Sequence, residues 1–120
     1  MRVFITDLCA YNEGHLVGKW IKLPLSDFEL SQSLSEVLSE GDEVSASSDH
    51  EEYFITDYES IISIDEYDDI YKLNELAGVL ESYSDNDLLK LKLLSHEGFN
   101  EREVILKGID SYEVDIYDYS

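Results

Sequence analysis

The chain has 120 residues, enough for one domain or two very small ones, and its 43% hydrophobic content, rich in Leu, Ile and Tyr, suffices for a core. Its charge is extreme: 28 acidic residues stand against 8 basic ones, a formal net charge of −20 divided evenly between the two halves. That balance excludes plain nucleic-acid binding as a default and disfavours attachment to anionic membranes, since both surfaces would repel the chain.

In residues 2–10, RVFITDLCA, Val3, Ile5 and Asp7 alternate with Phe4, Thr6 and Leu8, which predicts a strand. YNEG, residues 11–14, predicts a turn, because Asn and Gly tolerate positive φ. HLVGKWIKL, residues 15–23, predicts a second strand closed by Pro24, with Gly18 marking a bulge or a close backbone approach. Ser26 followed by Glu29 is a capping-box signal, and Leu30, Leu34, Val37 and Leu38 then give a helical stripe up to Gly41. The serine-rich stretch 42–52 predicts a loop, and YFITDYE, residues 53–59, a third strand.

The acidic run from Asp65 to Asp69 is expected at the start of the next helix, where carboxylates suit the positive end of the dipole. Ile70, Leu73, Leu76, Ala77 and Leu80 supply that helix's inner face. Ser84 with Asp87 predicts a cap for a further helix carrying Leu88, Leu89, Leu91, Leu93 and Leu94 and closing near Gly98. Asn100 with Glu103 opens a short helix ending at Gly108, and residues 112–119, YEVDIYDY, alternate again as a late strand. The expected class is α+β, divided near residue 62 into an N-terminal α+β domain (1–62) and a helical domain (63–108), with residues 109–120 beyond them.

Catalytic and metal signatures are missing from the sequence. His15, His50 and His96 lie far apart without ligand spacing. Asp85-Asn86-Asp87 begins like a calcium loop but lacks its later glycine and glutamate. There is neither a phosphate-cradling glycine loop nor a nucleophile elbow. Cys9, the single cysteine, excludes an internal disulfide and reads as a small buried hydrophobe within the first strand. No enzyme, metal or cofactor is therefore expected. No stretch reads as a signal peptide or approaches the roughly 20 apolar residues of a membrane span, so the expected location is cytoplasmic.

The carboxylates remain to be explained. Residues 23–71 hold 15 acids and no Lys or Arg, whereas the solvated face of an ordinary helix alternates the two signs. A helical wheel over residues 26–40 aligns Glu29, Glu36 and Glu40 on one stripe, and Asp68 and Glu75 stand opposite Leu73 and Leu80 on the later helix. Duplex DNA carries one charge per about 1.7 Å, so a net charge of −20 equals roughly 34 Å of duplex, one helical turn. The sharp reading is a protein that mimics DNA. The others are an acidic adaptor that binds a basic partner outside its DNA site, and a halophile's solubilising surface, which the abundance of large Leu, Ile and Tyr does not suggest.

Two stretches carry a family resemblance. TDLCAYNEGHLVGKWIKLP, residues 6–24, resembles the opening of ArdA-type antirestriction proteins in Leu8, Tyr11, Asn12, Gly14, Leu16, Gly18, Trp20 and Pro24. IDEYDDIYKLNELA, residues 64–77, is similar to the family's acidic Glu-Tyr followed by Leu-Asn-Glu-Leu. The resemblance spans roughly residues 1–83. It implies an elongated molecule with an N-terminal three-stranded antiparallel sheet plus helix, a small helical domain, and a C-terminal α+β domain of which residues 109–120 supply only one strand. It also implies inhibition of Type I restriction–modification enzymes, or of a related DNA-binding host defence protein, by occupation of the DNA groove. The family's dimer contact would lie beyond residue 120, which leaves the formation of a homodimer open.

On this reading the partner-binding groups are carboxylates standing in for phosphates: Glu29, Glu36, Glu40, Asp42, Glu43, Asp49, Glu51, Glu52, Asp57, Glu59, Asp65, Glu66, Asp68, Asp69, Glu75, Glu81, Asp85 and Asp87. Tyr11, Asn12, Gly14, Gly18 and Trp20 are expected to hold a turn and a core rather than to touch a target.

Overall fold

A computed structural model describes residues 1–44 and 52–114. The chain divides into two compact units, Met1–Asn74 and the part from Glu75 onward.

The first unit is built on a three-stranded antiparallel sheet. Strands β1 (Arg2–Asp7), β2 (Gly18–Lys22) and β3 (Tyr53–Glu59) stand in the order β2-β1-β3. Val3 pairs with Ile21, Phe4 with Trp20 and Thr6 with Gly18, while β3 shifts register opposite Phe4 and Ile5. Val3, Ile5 and Ile21 are buried, as are Leu30, Leu34 and Val37 of helix α2 (Asp27–Val44), which packs on the sheet. Each such side chain contributes about 1.5–3 kcal/mol by leaving water.

Three expectations are corrected here. The predicted strand 2–10 stops at Asp7, and Leu8–Asn12 form a short helix, α1. Asp7 causes the change: its Oδ1 accepts the Ala10 N–H at 2.8 Å, which caps the helix. Cys9 therefore sits half-buried in α1 and not in a strand. The second strand begins at Gly18 rather than residue 15.

Helix α2 runs through Gly41 to Val44, past its expected end. Gly41 is buried and continues the inner stripe of Leu30, Leu34 and Val37, so packing outweighs the roughly 1 kcal/mol that glycine costs a helix. Asp42 and Glu43 are thereby helical, whereas the rest of the expected loop, residues 45–51, lies outside the described residues. Ser26 caps α2 as expected, its Oγ accepting the Glu29 N–H at 3.2 Å.

Helix α3 (Ile70–Glu81) begins after the acidic run. Residues 65–69 form a turn: the Asp65 N–H donates to Asp68 Oδ2 at 2.6 Å, and Asp69 Oδ1 accepts the Tyr71 N–H at 2.9 Å. The Ile55 N–H of β3 donates to the Glu66 carbonyl at 2.8 Å, so pairing with the sheet edge keeps the run out of the helix. Only Asp69 serves the dipole, as a cap. Asn74 is buried and clamps the chain after Pro24. Its Oδ1 accepts the Leu25 N–H at 2.8 Å and its Nδ2 donates to the Leu25 carbonyl at 2.7 Å.

In the second unit, α4 (Asp85–His96) carries a complete capping box between Ser84 and Asp87, and buries Leu91 and Leu94. Leu89, expected on the apolar face, is 40% exposed. Helix α5 (Glu101–Lys107) is capped by Asn100, ends at Gly108 with φ 100°, and leads into a 3-10 turn, Ile109–Ser111. Residues 112–114 are not a strand, and the remainder of the expected late strand lies outside the described residues.

The Tyr83 hydroxyl is buried without a hydrogen-bond partner among the described residues. Burial pushes its pKa up, and Asp87 and Asp110 add to the shift. Tyr83→Phe removes the orphaned hydroxyl and is expected to leave stability unchanged or raise it by about 1 kcal/mol in urea unfolding at neutral pH. A folded-state pKa above the unfolded value means stability is lost as pH rises beyond 10, and the variant should lose less of it there.

Candidate functional site

Among the described elements, α2 carries the most acids. Over 18 residues the helix carries Asp27, Glu29, Glu36, Glu40, Asp42 and Glu43 and no base. All six side chains are exposed. At 1.5 Å per residue, the helix spans about 27 Å, or one acid per roughly 4.5 Å of axis counted over all its faces, against about 3.4 Å per phosphate along a single DNA strand. Glu29, Glu36, Glu40 and Glu43 share one stripe because steps of seven, four and three residues return to the same side. Lys19 from β2 meets this stripe at one point, with Nζ 2.7 Å from Glu36 Oε2.

A second group lies on β3 and the residues that flank it. Glu52, Asp57, Glu59, Asp65, Glu66 and Asp69 are exposed and Asp68 is half-buried. Glu59 is paired with Arg2 at 3.0 Å, across a sequence separation of 57. Asp68 lies in the turn and not on α3, so the expected alignment with Glu75 on one helix face does not hold. Asp49 and Glu51 lie outside the described residues.

In the second unit, Glu75, Glu81 and Asp85 are exposed and Asp87 is half-buried, its carboxylate accepting the Ser84 N–H at 3.1 Å. Asp87 thus has structural work as a cap. Glu103 is exposed and hydrogen-bonded to Lys107, which holds its carboxyl below the usual range. The first unit has 17 acids and 4 bases and the second 11 and 4, so both are strongly negative.

Sequence reasoning missed two acids of note. Asp27 adds a sixth acid to α2, two residues before Glu29 and on the other side of the helix from the stripe, and is detectable from its place just after the Ser26 cap. Asp7 is fully buried and caps α1, a role that no local pattern announces. It also missed an aromatic cluster. Tyr11 of α1 meets Phe54 of β3 edge-on at 5.1 Å, and Tyr67 stacks on the same ring at 6.0 Å.

Among the described residues, no three His, Cys, Asp or Glu side chains converge as metal ligands. His15 and His96 are exposed, and His50 lies outside the described residues. No described helix is long and apolar enough to cross a membrane. What the described surface offers is exposed negative charge held on α2, on β3 and in the turn beside it. Such a surface repels nucleic acid and attracts basic proteins.

No curated protein matches the chain. The family model described as Antirestriction protein (ArdA) matches residues 3–117, well past residue 83, and the chain belongs to that family.

Proposed function

We propose that the protein is a DNA mimic that enters the DNA-binding groove of a Type I restriction–modification enzyme, or of a related defence complex, and blocks it. Family membership implies an antirestriction inhibitor rather than a catalyst. The observation that carries mimicry is α2, with six exposed acids and no base along one helix, four of the acids on one stripe. The carboxylates of β3, of residues 65–69 and of the second unit extend the same chemistry. The protein would act in the cytoplasm, where Cys9 stays reduced.

A basic groove gains from carboxylates what it gains from phosphates, namely attraction and release of screening ions. It reads no bases from this surface, so enzymes with different target sequences would be inhibited alike. Competition tests the reading. Duplex DNA should displace the protein from a purified Type I enzyme, and log K should fall steeply with log salt. An enzyme that holds DNA and this protein together would mark the acidic surface as an adaptor, and mimicry would be wrong.

A further inference from the structure

We infer that Tyr11, Phe54 and Tyr67 form a receptor for an arginine side chain of the protein that the acidic surface binds, an inference that rests on the function proposed above. Tyr67 is 70% exposed and Tyr11 51%, while Phe54 between them is 6% exposed. Two large rings therefore stand in solvent on a buried third. Their arrangement is held by the backbone. The Asp65–Asp68 turn fixes Tyr67, with the Asp68 N–H donating to the Asp65 carbonyl at 3.2 Å. The Glu66 carbonyl ties that turn to β3 at Ile55, beside Phe54. The Asp7 cap fixes α1 and hence Tyr11.

Charge selects the occupant. Tyr67 is flanked in the chain by Asp65, Glu66, Asp68 and Asp69, and no Lys or Arg occurs between Lys22 and Lys72. A guanidinium stacks on an aromatic face and forks to carboxylates at its edge, which an ammonium does less well. Arginine and tyrosine are also the residues in which interface binding energy concentrates. Carboxylates alone give an attraction that salt erodes. Stacked rings add a contact that salt barely touches, and they fix the register of the acidic surface in the groove.

The test uses the full chain and a purified Type I enzyme. Tyr11→Ser with Tyr67→Ser should lower affinity about tenfold or more at both low and high salt, without changing the slope of log K against log salt. Tyr→Phe at both positions should bind like the parent, and Tyr→Leu should lose as much as Ser, because it keeps apolar area but no π face. Thermal unfolding checks that each variant is folded, as exposed positions allow. Wild-type binding by the Ser variant, in a system where DNA still displaces the parent, overturns the receptor and leaves mimicry standing. Full binding by the Leu variant overturns arginine as the occupant. Failure of the parent to compete with DNA removes the proposed function and this inference together.

Discussion

Replacing Glu29, Glu40, Glu43, Asp65 and Glu66 by their amides is expected to weaken binding to a DNA-handling target by about 10³-fold near physiological salt. The figure follows from ion release: each phosphate-like contact contributes about 0.9 to the slope of log K against log salt, so five contacts account for about 4–5 units of slope. The choice of residues isolates charge. Glu36 is left because it pairs with Lys19, and Glu59 because it pairs with Arg2. Gln at position 29 can still accept from the Ser26 hydroxyl, which now donates to Glu29 Oε1 at 3.1 Å. The bonds that Asp65 and Glu66 make at 3.2 and 2.8 Å use their backbone carbonyls, which survive the substitution.

Stability should move the other way. Glu36, Glu40 and Glu43 repel one another at steps of four and three residues, each such pair costing about 0.2–0.5 kcal/mol. The amide variant should therefore unfold at equal or higher urea concentration than the parent. Binding that falls while stability rises is the signature of charge kept for a partner. A loss below tenfold with an unchanged salt slope would sink the charge argument. Single substitutions are expected to do little, since an exposed ion pair is worth about 0–1 kcal/mol.

Local signals were the legible ones. The caps at Ser26, Ser84 and Asn100 each read from a residue three positions ahead, and all three stand in the structure. Strand β3 runs over residues 53–59, as its β-branched and aromatic residues announce. What failed was set by distant contacts. Gly41 reads as a stop only if its burial on the inner face of α2 is unknown. Residues 65–69 read as a helix start only if the Ile55–Glu66 bond is unknown. Five residues of α1 leave no periodicity to find, and Asp7 looks like one more acid until it is seen buried. The acids were legible as surface because charge seldom goes inside without a partner. Their pairing with Arg2 and Lys19, and the meeting of Tyr11, Phe54 and Tyr67, bridge sequence gaps that no pattern spans.

Gly18→Ala is expected to destabilise the first unit by about 3 kcal/mol, the upper end of the cost of overpacking. Gly18 pairs with Thr6 at the start of β2, and a Cβ there would collide with the Ile5 carbonyl and lie 2.8 Å from Phe4 Cε1. The Ile5 carbonyl is main chain in the central strand, so it cannot swing aside. Phe4 cannot yield freely either, because its ring meets Trp20 edge-on at 5.5 Å, and Arg2 lies 4.6 Å over the Trp20 ring. Relief would require β2 to part from β1, and with it the Val3–Ile21 pair of the core. Gly14 offers the contrast: its φ is 91° and a methyl group there would meet nothing within 4 Å among the described residues, so Gly14→Ala is strained by conformation and not by contact. The glycine-tryptophan pattern of residues 18–20 thus serves the sheet. Inhibition by Gly18→Ala should fall only as the folded fraction falls, and should return at low temperature or in a stabilising, salt-free osmolyte. A folded Gly18→Ala protein that no longer inhibits would instead place this strand in the contact with the target.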